Sequence, residues 1–304
     1  MSNSRTKINK LDSFEPVGFV GLGSMGGAIV KNLLDKGVCV HAYDKKKAVR
    51  RIFRDAGAIV HESPAHVALQ TKYVFLCLPF APQVEKALFG VNGLTQEKEK
   101  KLIVVDLSTI YSSDAELLNA KLRKTNISYS DCPISGLPKK ARDGTLTLMF
   151  GGLKPEYKEV LPILKLIGEH IMYCGQCGTG QTMKSLNNIV YNINIAAISE
   201  MLPVAVKVGL DPVDFATVLL NGSARSFASE HFVPKILRRE FRGDYQLQSA
   251  YKDIENFLKL KENIPIELPV FEAMGNVYRE ALEKGYGKES KSAMVKLYEE
   301  KLRK

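Results

Sequence analysis

A glycine-rich turn near the start of the chain constrains the fold more than any other feature. It reads Gly21-Leu22-Gly23-Ser24-Met25-Gly26, follows the apolar run 17–20 and opens a helical pattern. A second apolar run, 38–43, ends at the acid Asp44. A strand, this glycine spacing, a helix, a second strand and an acid together form the fingerprint of a dinucleotide-binding unit. The sequence therefore predicts that the turn residues Gly21, Gly23, Ser24, Met25 and Gly26, together with Asp44, bind a dinucleotide.

Each glycine of this turn has its own predicted role. Gly21 permits the tight turn, Gly23 lets a pyrophosphate approach the backbone, and Gly26 lets the helix pack closely on the sheet. The phosphates then lie at the positive end of the helix. Asp44 can accept hydrogen bonds from both ribose hydroxyls, which favours NAD, because a phosphate on the second hydroxyl would meet its charge. The lysines 45–47 follow directly and leave NADP as the alternative.

The alternation of short apolar runs with helical stretches predicts the fold class. Continuous apolar runs such as 73–78 and 102–106 are typical of strands buried on both faces of a parallel sheet. We expect an α/β fold with a Rossmann-type doubly wound sheet, followed by an all-α domain with a long interdomain helix over 181–208 that is apolar nearly all round and therefore buried. The expected divisions are a flexible tail over 1–14, a dinucleotide-binding domain over 15–178, and a substrate and oligomerisation domain over 179–304.

Composition limits the partners of the chain. Apolar residues make up 45% and charged residues 25% of the 304 positions, and no apolar run reaches the length of a membrane span. The net charge of +10 is interleaved with acids, so neither nucleic acid nor a membrane is expected as a partner. Five cysteines and the lack of a secretory signal predict a reducing, cytoplasmic location. The pair Cys174 and Cys177 lacks a second pair of ligands, so no metal is predicted.

Two further segments carry candidate chemistry. The segment Asp131–Gly136 ends in a turn where the Ser135 hydroxyl and the Gly136 N–H can hold a carboxylate, although the same residues also fit an ordinary turn. On the long helix, Lys184, Asn188 and Asn192 recur every four residues and form one polar stripe. Burying such groups is unfavourable unless they have partners or a task. The stripe therefore belongs either to an internal hydrogen-bond network or to an active site.

From residue 17 onward the chain resembles the β-hydroxyacid dehydrogenase family, and within it the 3-hydroxyisobutyrate dehydrogenases. The segments that carry the resemblance are 19–26, 78–79, 106–109, 131–136, 141–152, 178–188 and 252–254. The resemblance implies that Lys184 is the catalytic lysine, that Asn188 orients the substrate, and that Ser135 and Gly136 bind its carboxylate. The implied cofactor contacts, beyond the glycine turn, are Leu78, Pro79, Thr109 and Lys252.

The resemblance also implies an activity. We expect an oxidoreductase that transfers hydride between NAD(H), with NADP as the alternative, and a small β-hydroxyacid or its semialdehyde, with Lys184 as general acid and base. A homodimer or homotetramer built through the helical half is implied as well. Leu137 stands where the family has a second glycine. It keeps open a reductase of glyoxylate, tartronate semialdehyde or succinic semialdehyde, or a threonate-type dehydrogenase. A non-catalytic dinucleotide-binding module is the remote alternative.

Overall fold

The structure is a computed structural model that describes residues 15–243, 245–262 and 264–303. The tail expected over 1–14 lies outside these residues. The chain divides into two compact units, of which the first ends at Lys184 and the second begins at Ser185. The division falls inside one long helix, so each unit is described separately below.

The first unit is built on one sheet of nine strands. They are β1 Val17–Val20, β2 Val40–Tyr43, β3 Ile59–Val60, β4 Tyr73–Leu76, β5 Leu102–Asp106, β6 Ile127–Asp131, β7 Ile134–Ser135, β8 Leu146–Gly151 and β9 Gly168–Gly175. The order is β3-β2-β1-β4-β5-β6-β8-β7, and β9 pairs with β8. Strands β1 to β6 are parallel to their neighbours, whereas β8 runs antiparallel to β6 and β7. This confirms the Rossmann-type doubly wound sheet.

Helices cover both faces of the sheet, which explains the continuous apolar runs. They are α1 Ser24–Asp35, α2 Lys47–Asp55, α3 Pro64–Gln70, α4 Ala81–Phe89, α5 Ser112–Leu122, α6 Pro138–Asp143 and α7 Lys154–Ile167. Alternate residues of β4 enter different cores: Tyr73 and Phe75 join the core on one face, and Val74 and Leu76 join the core on the other. Because both faces are buried, every position of the strand is apolar.

The second unit is helical, which confirms the all-α expectation. After α8 Thr179–Lys207, the helices are α9 Pro212–Asn221, α10 Phe227–Leu237, α11 Leu247–Lys261, α12 Pro269–Glu283 and α13 Val295–Arg303. Their shared core includes Ile195 of α8, Phe232 of α10, Phe257 of α11 and Tyr278 of α12. Because its helices surround one apolar core, this unit is stabilised by a hydrophobic core of its own.

Helix α8 is longer than any apolar run in the sequence, and it corrects the expectation that it is buried all round. It is 29 residues long and contains an 18-residue window with a mean hydropathy of 1.5, so by length and composition it could cross a membrane. In the sequence, isolated polar residues divide this segment into short apolar runs, so no single run has the length of the helix. Half of that window is buried inside the fold. The helix is also not buried all round, because Leu186, Val190, Met201 and Val204 are exposed.

Candidate active site

The first and third glycines of the turn after β1 are fixed by close packing. Gly21 has a φ of +100°, and its N–H donates to the Tyr43 carbonyl at 2.9 Å. A Cβ there would lie 2.3 Å from the Cys77 carbonyl oxygen, and a Cβ on Gly26 would lie 2.1 Å from the Gly21 carbonyl oxygen. Any side chain at either position would therefore push apart the turn, the end of β4 and the start of α1.

Gly23 differs from these two glycines because it faces open space. A Cβ at Gly23 would meet no atom within 4 Å. Gly23 and Ser24 are exposed at the start of α1, Met25 is half-buried, and none of the described side chains caps this end of the helix. Backbone N–H groups at a helix N-terminus that point into open space form a binding site for phosphate. The residues present therefore fit the pyrophosphate of a dinucleotide.

Asp44 is held at this turn by backbone amides. One carboxylate oxygen accepts the Leu22 N–H at 2.9 Å, and the other accepts the Lys46 N–H at 2.8 Å. The buried Arg50 donates from its guanidinium to the Asp44 carbonyl at 2.8 Å and pairs with Glu62. The carboxylate thus has a fixed orientation beside the glycine turn. Sequence reasoning missed Arg50, which stands in a basic helix like any surface arginine.

The loops that follow β4 and β5 are joined by hydrogen bonds. The Leu78 N–H donates to the Ser108 hydroxyl, and the Ser108 N–H donates to Asp106, both at 2.9 Å. Asp106 also accepts the Tyr129 hydroxyl at 2.7 Å, and burial raises the pKa of this carboxyl. The loops carrying Leu78, Pro79 and Thr109 therefore lie side by side at the carboxyl edge of the sheet. This edge is where parallel sheets bind their ligands.

The start of α8 is fastened to the same edge. Gln181, which is 2% exposed, donates to the Ser108 carbonyl at 2.8 Å and accepts the Ile110 N–H at 3.2 Å. The Asp131 carboxylate accepts the N–H groups of Gly178 and Gln181 at 2.6 and 2.7 Å. Burial raises the pKa of Asp131 to about 6, although these two N–H donors oppose the shift. Sequence reasoning assigned no role to Gln181 or Asp131.

Lys184 and Asn188 leave α8 from the face that begins at Gln181. Lys184 is three residues after Gln181 and half-buried, and Asn188 is four residues further on. Asn188 is 9% exposed and accepts a hydrogen bond from Asn187 at 3.3 Å. The third member of the stripe has a different environment. Asn192 accepts the Tyr278 hydroxyl and the Lys291 ammonium in the core of the second unit, as an internal network requires.

The turn at Ser135 explains why a leucine is tolerated beyond it. Ser135 pairs with Thr147 of β8, and Gly136 has a φ of +140°, a conformation that favours glycine. Leu137 has an extended backbone with a φ of −91°. A leucine therefore fits the backbone at 137 without strain. Compared with the family's glycine, Leu137 adds a half-buried side chain beside the turn.

Lys252 and the two neighbouring thiols are the remaining candidates. Lys252 is half-buried on α11, in the second unit. The thiols of Cys174 and Cys177 are free, and burial raises the pKa of both, which keeps them protonated. Within the described ranges, no group of three or more histidines, cysteines or acids is arranged to hold a metal ion.

Known families match both parts of the chain. Residues 16–175 match the NAD binding domain of 6-phosphogluconate dehydrogenase, and residues 178–298 match the NAD-binding domain of NADP-dependent 3-hydroxyisobutyrate dehydrogenase. The chain is 31% identical to 2-(hydroxymethyl)glutarate dehydrogenase from Eubacterium barkeri, over 93% of this chain and 95% of that protein. It is also 31% identical to 2-hydroxy-3-oxopropionate reductase from Escherichia coli, over 93% and 97%.

A solved structure agrees with these relatives. The crystal structure of 3-hydroxyisobutyrate dehydrogenase from Salmonella typhimurium superposes with a TM-score of 0.84 at 25% identity. The match covers 93% of this chain and all of that chain. Nearly the whole length is therefore accounted for by one kind of enzyme. The chain belongs to the β-hydroxyacid dehydrogenase family, NAD(P)-dependent oxidoreductases that act on the CH–OH group of hydroxyacids.

Proposed function

We propose that the chain oxidises a small β-hydroxyacid or reduces its semialdehyde with NAD(H), using Lys184 as general acid and base. The observation that carries this proposal is the hydrogen bonding of Gln181 to the loop around Thr109. It fastens the helix of Lys184 to the edge where the glycine turn lies. We assign cofactor binding to residues 15–178, and substrate binding and subunit contacts to 179–304.

The residues divide the chemistry among them. A bound nicotinamide supplies or receives the hydride. The Lys184 ammonium binds the substrate oxygen, gives or takes its proton, and in the reducing direction stabilises negative charge that develops there. The Ser135 hydroxyl and the Gly136 N–H bind the carboxylate. Asn188 orients the substrate, and Lys252 contributes from the nicotinamide side.

The names of the relatives narrow the substrate class. 2-(Hydroxymethyl)glutarate, 3-hydroxyisobutyrate and 2-hydroxy-3-oxopropionate share a primary alcohol or aldehyde two bonds from the carboxyl carbon. They differ in the group on the carbon between. We propose the same core for this substrate, with the middle substituent undetermined. The reductase alternative remains the second candidate, because one of these relatives is a reductase of a hydroxy-aldehyde.

A panel of substrates tests the proposal. Acids with hydrogen, methyl, hydroxyl or carboxyethyl on the middle carbon, and the matching semialdehydes, would be assayed by nicotinamide absorbance with each cofactor. We expect turnover of at least one member. Binding of NADH without turnover of any member would instead support the non-catalytic module.

Replacing Leu137 by glycine should change the ranking of these substrates by size. The leucine side chain stands beside the turn that we assign to the carboxylate, and glycine would remove it without straining the extended backbone. A change of fit on the scale of a methylene group is worth about 1–3 kcal/mol, or roughly 10- to 200-fold in kcat/KM. The measurement is kcat/KM across the panel for both proteins. An unchanged ranking would show that this side chain points away from the substrate.

We expect the natural protein to bind NADH more tightly than NADPH, and replacing Asp44 by asparagine should reduce the ratio of the two affinities. Both oxygens of the carboxylate are oriented by backbone N–H groups, so its charge is fixed where a 2′-phosphate would meet it. Fluorescence titration with both reduced cofactors measures the preference. Asp55→Asn, at the end of α2, serves as the matched control. Tighter binding of NADPH by the natural protein would contradict the prediction and assign the phosphate to the lysines 45–47.

We further propose that the chain forms a homodimer or homotetramer through α8. Leu186, Val190, Met201 and Val204 are 36–60% exposed and recur along one helix, and Val213 on the next helix is 59% exposed. A continuous apolar face of this kind marks a protein interface. Light scattering should show an oligomer, and Val190→Lys with Met201→Lys should reduce it to a monomer. Val91→Lys, at a residue that is 90% exposed, should change nothing. A monomeric natural protein would contradict the proposal.

A cytoplasmic location without nucleic acid or membrane partners completes the proposal. It is supported by five free cysteines, as expected in a reducing compartment. The charge of +10 is divided among several helices rather than gathered on one. A salt-dependent titration with DNA tests the exclusion of nucleic acid, and fractionation of the source cells tests the location.

A further inference from the structure

The side-chain amide of Gln181 holds the peptide groups on both sides of Thr109. Its nitrogen donates to the Ser108 carbonyl, and its oxygen accepts the Ile110 N–H. Ser108 and Ile110 are both buried, and Gln181 is 2% exposed. Thr109 itself remains half-exposed at the edge of the sheet. Both hydrogen bonds go to backbone groups, so the amide fixes the backbone on either side of Thr109 and leaves the Thr109 side chain out of the contact.

The helix that carries Gln181 is itself prevented from shifting. Asp131, at the end of β6, accepts the N–H groups of Gly178 and Gln181. The carboxylate is enclosed by glycines, since a Cβ on Gly151 would lie 2.5 Å and one on Gly180 would lie 2.7 Å from its oxygens. A charged carboxylate at a helix N-terminus is stabilised by the helix dipole. The close packing at these two glycines and the two N–H bonds hold the first turn of α8 against the end of β6.

We propose that Gln181 is a positioning residue that holds the Thr109 loop in register with the helix carrying Lys184. Lys184 follows Gln181 by three residues, which places both on one face of α8 about 4.5 Å apart along its axis. This inference rests on the proposed role of Lys184. Displacing the loop by a fraction of an ångström would displace the cofactor side of the reaction relative to the lysine. Such misplacement lowers turnover steeply.

The two hydrogen bonds require one donor and one acceptor on the same side chain. A glutamate at 181 has this pair only when it is protonated, whereas its ionised form puts two acceptors against the Ser108 carbonyl. Leucine has neither group at any pH and leaves both buried backbone groups without partners. The ordinary pKa of glutamate is about 4.3, and burial raises it. Acidification should therefore restore the function of a glutamate variant but not that of a leucine variant.

The experiment compares Gln181→Glu and Gln181→Leu with the natural protein at about pH 5 and about pH 8. At the higher pH we expect kcat to fall roughly ten- to a hundredfold in both variants, with a smaller loss of NADH affinity. At the lower pH, Gln181→Glu should recover most of its kcat relative to the natural protein, and Gln181→Leu should not. Taking ratios to the natural protein removes the shared effect of Asp131. Gln176→Glu, at an exposed glutamine five residues earlier, is the matched control.

The outcomes separate this inference from the proposed function. Equal losses in both variants at both pH values, with a lowered melting temperature, would assign Gln181 to stability alone and overturn the inference. Unchanged kcat in Gln181→Glu at the higher pH would also overturn it. If Lys184→Ala keeps its turnover, the proposed function fails. The pH-dependent recovery of NADH affinity in Gln181→Glu then still reports whether the amide holds the loop.

Discussion

Lys184→Ala should lower kcat by about two to four orders of magnitude while the affinity for NADH stays near that of the natural protein. The lysine leaves α8 one turn after Gln181, which is bonded to the loop that follows β5. Removing its ammonium takes away both the proton and the charge that stabilises the developing oxyanion, and leaves the glycine turn intact. Steady-state kinetics with the best substrate of the panel, together with NADH titration, give the two quantities.

Two further variants sharpen this test. Lys184→Arg keeps the positive charge but cannot release a proton at any working pH, so it should stay far below the natural kcat if proton transfer is the main role. Lys207→Ala removes a lysine from the last turn of the same helix, where its ammonium donates to the Leu302 carbonyl at 3.2 Å. It should leave kcat unchanged. A Lys184→Ala enzyme that retained most of its turnover would show that another group moves the proton.

Local signals account for the parts of the fold that the sequence predicts. The glycine turn, the strand before it and the acid after β2 lie within 28 residues of one another, from Val17 to Asp44. Continuous apolar runs gave β4 and β5, because strands covered on both faces need apolar residues throughout. The last strands are different. β8 runs antiparallel to β6 and β7, which pair with it in one continuous register, and parallel to β9, and such pairing depends on partners that periodicity does not identify.

The same distinction separates the site residues that were recognised from those that were missed. Motif spacing identifies Gly21, Gly23 and Gly26, whose roles depend on neighbours in the chain. Gln181 bonds to residues 71 and 73 positions earlier, and Asp131 bonds to residues 47 and 50 positions later. Contacts over such distances leave no mark in local spacing. In the sequence, Gln181 is marked only as a polar residue between Gly180 and a helical apolar run, within the segment 178–188 that carries the family resemblance.

The exposed face of α8 shows a further limit. An apolar helix is expected to be buried, but apolarity alone does not say whether the chain itself or a second copy covers each side. Asn192 illustrates the opposite case. Its spacing with Lys184 and Asn188 suggests one common task, yet its partners Tyr278 and Lys291 belong to the core of the helical unit. Helical spacing predicts a shared face, and the surroundings along that face decide the role.

Gly26→Ala and Gly23→Ala should fail in different ways. A methyl group on Gly26 would lie 2.1 Å from the Gly21 carbonyl oxygen, so α1 must move. We expect a lower melting temperature, a loss of about 1–3 kcal/mol in the free energy of unfolding, and NADH binding too weak to measure.

A methyl group on Gly23 meets no atom within 4 Å, and the backbone there is ordinary for alanine. The melting temperature without cofactor should therefore stay near that of the natural protein. Affinity for NADH should still fall at least about tenfold, because the methyl group occupies the space through which the pyrophosphate reaches the helix N-terminus. Gly275→Ala, in the open middle of α12, controls for the substitution itself. Natural NADH affinity in Gly23→Ala would mean that the phosphates bind elsewhere, and the loss of binding in Gly26→Ala would then come from its packing defect alone.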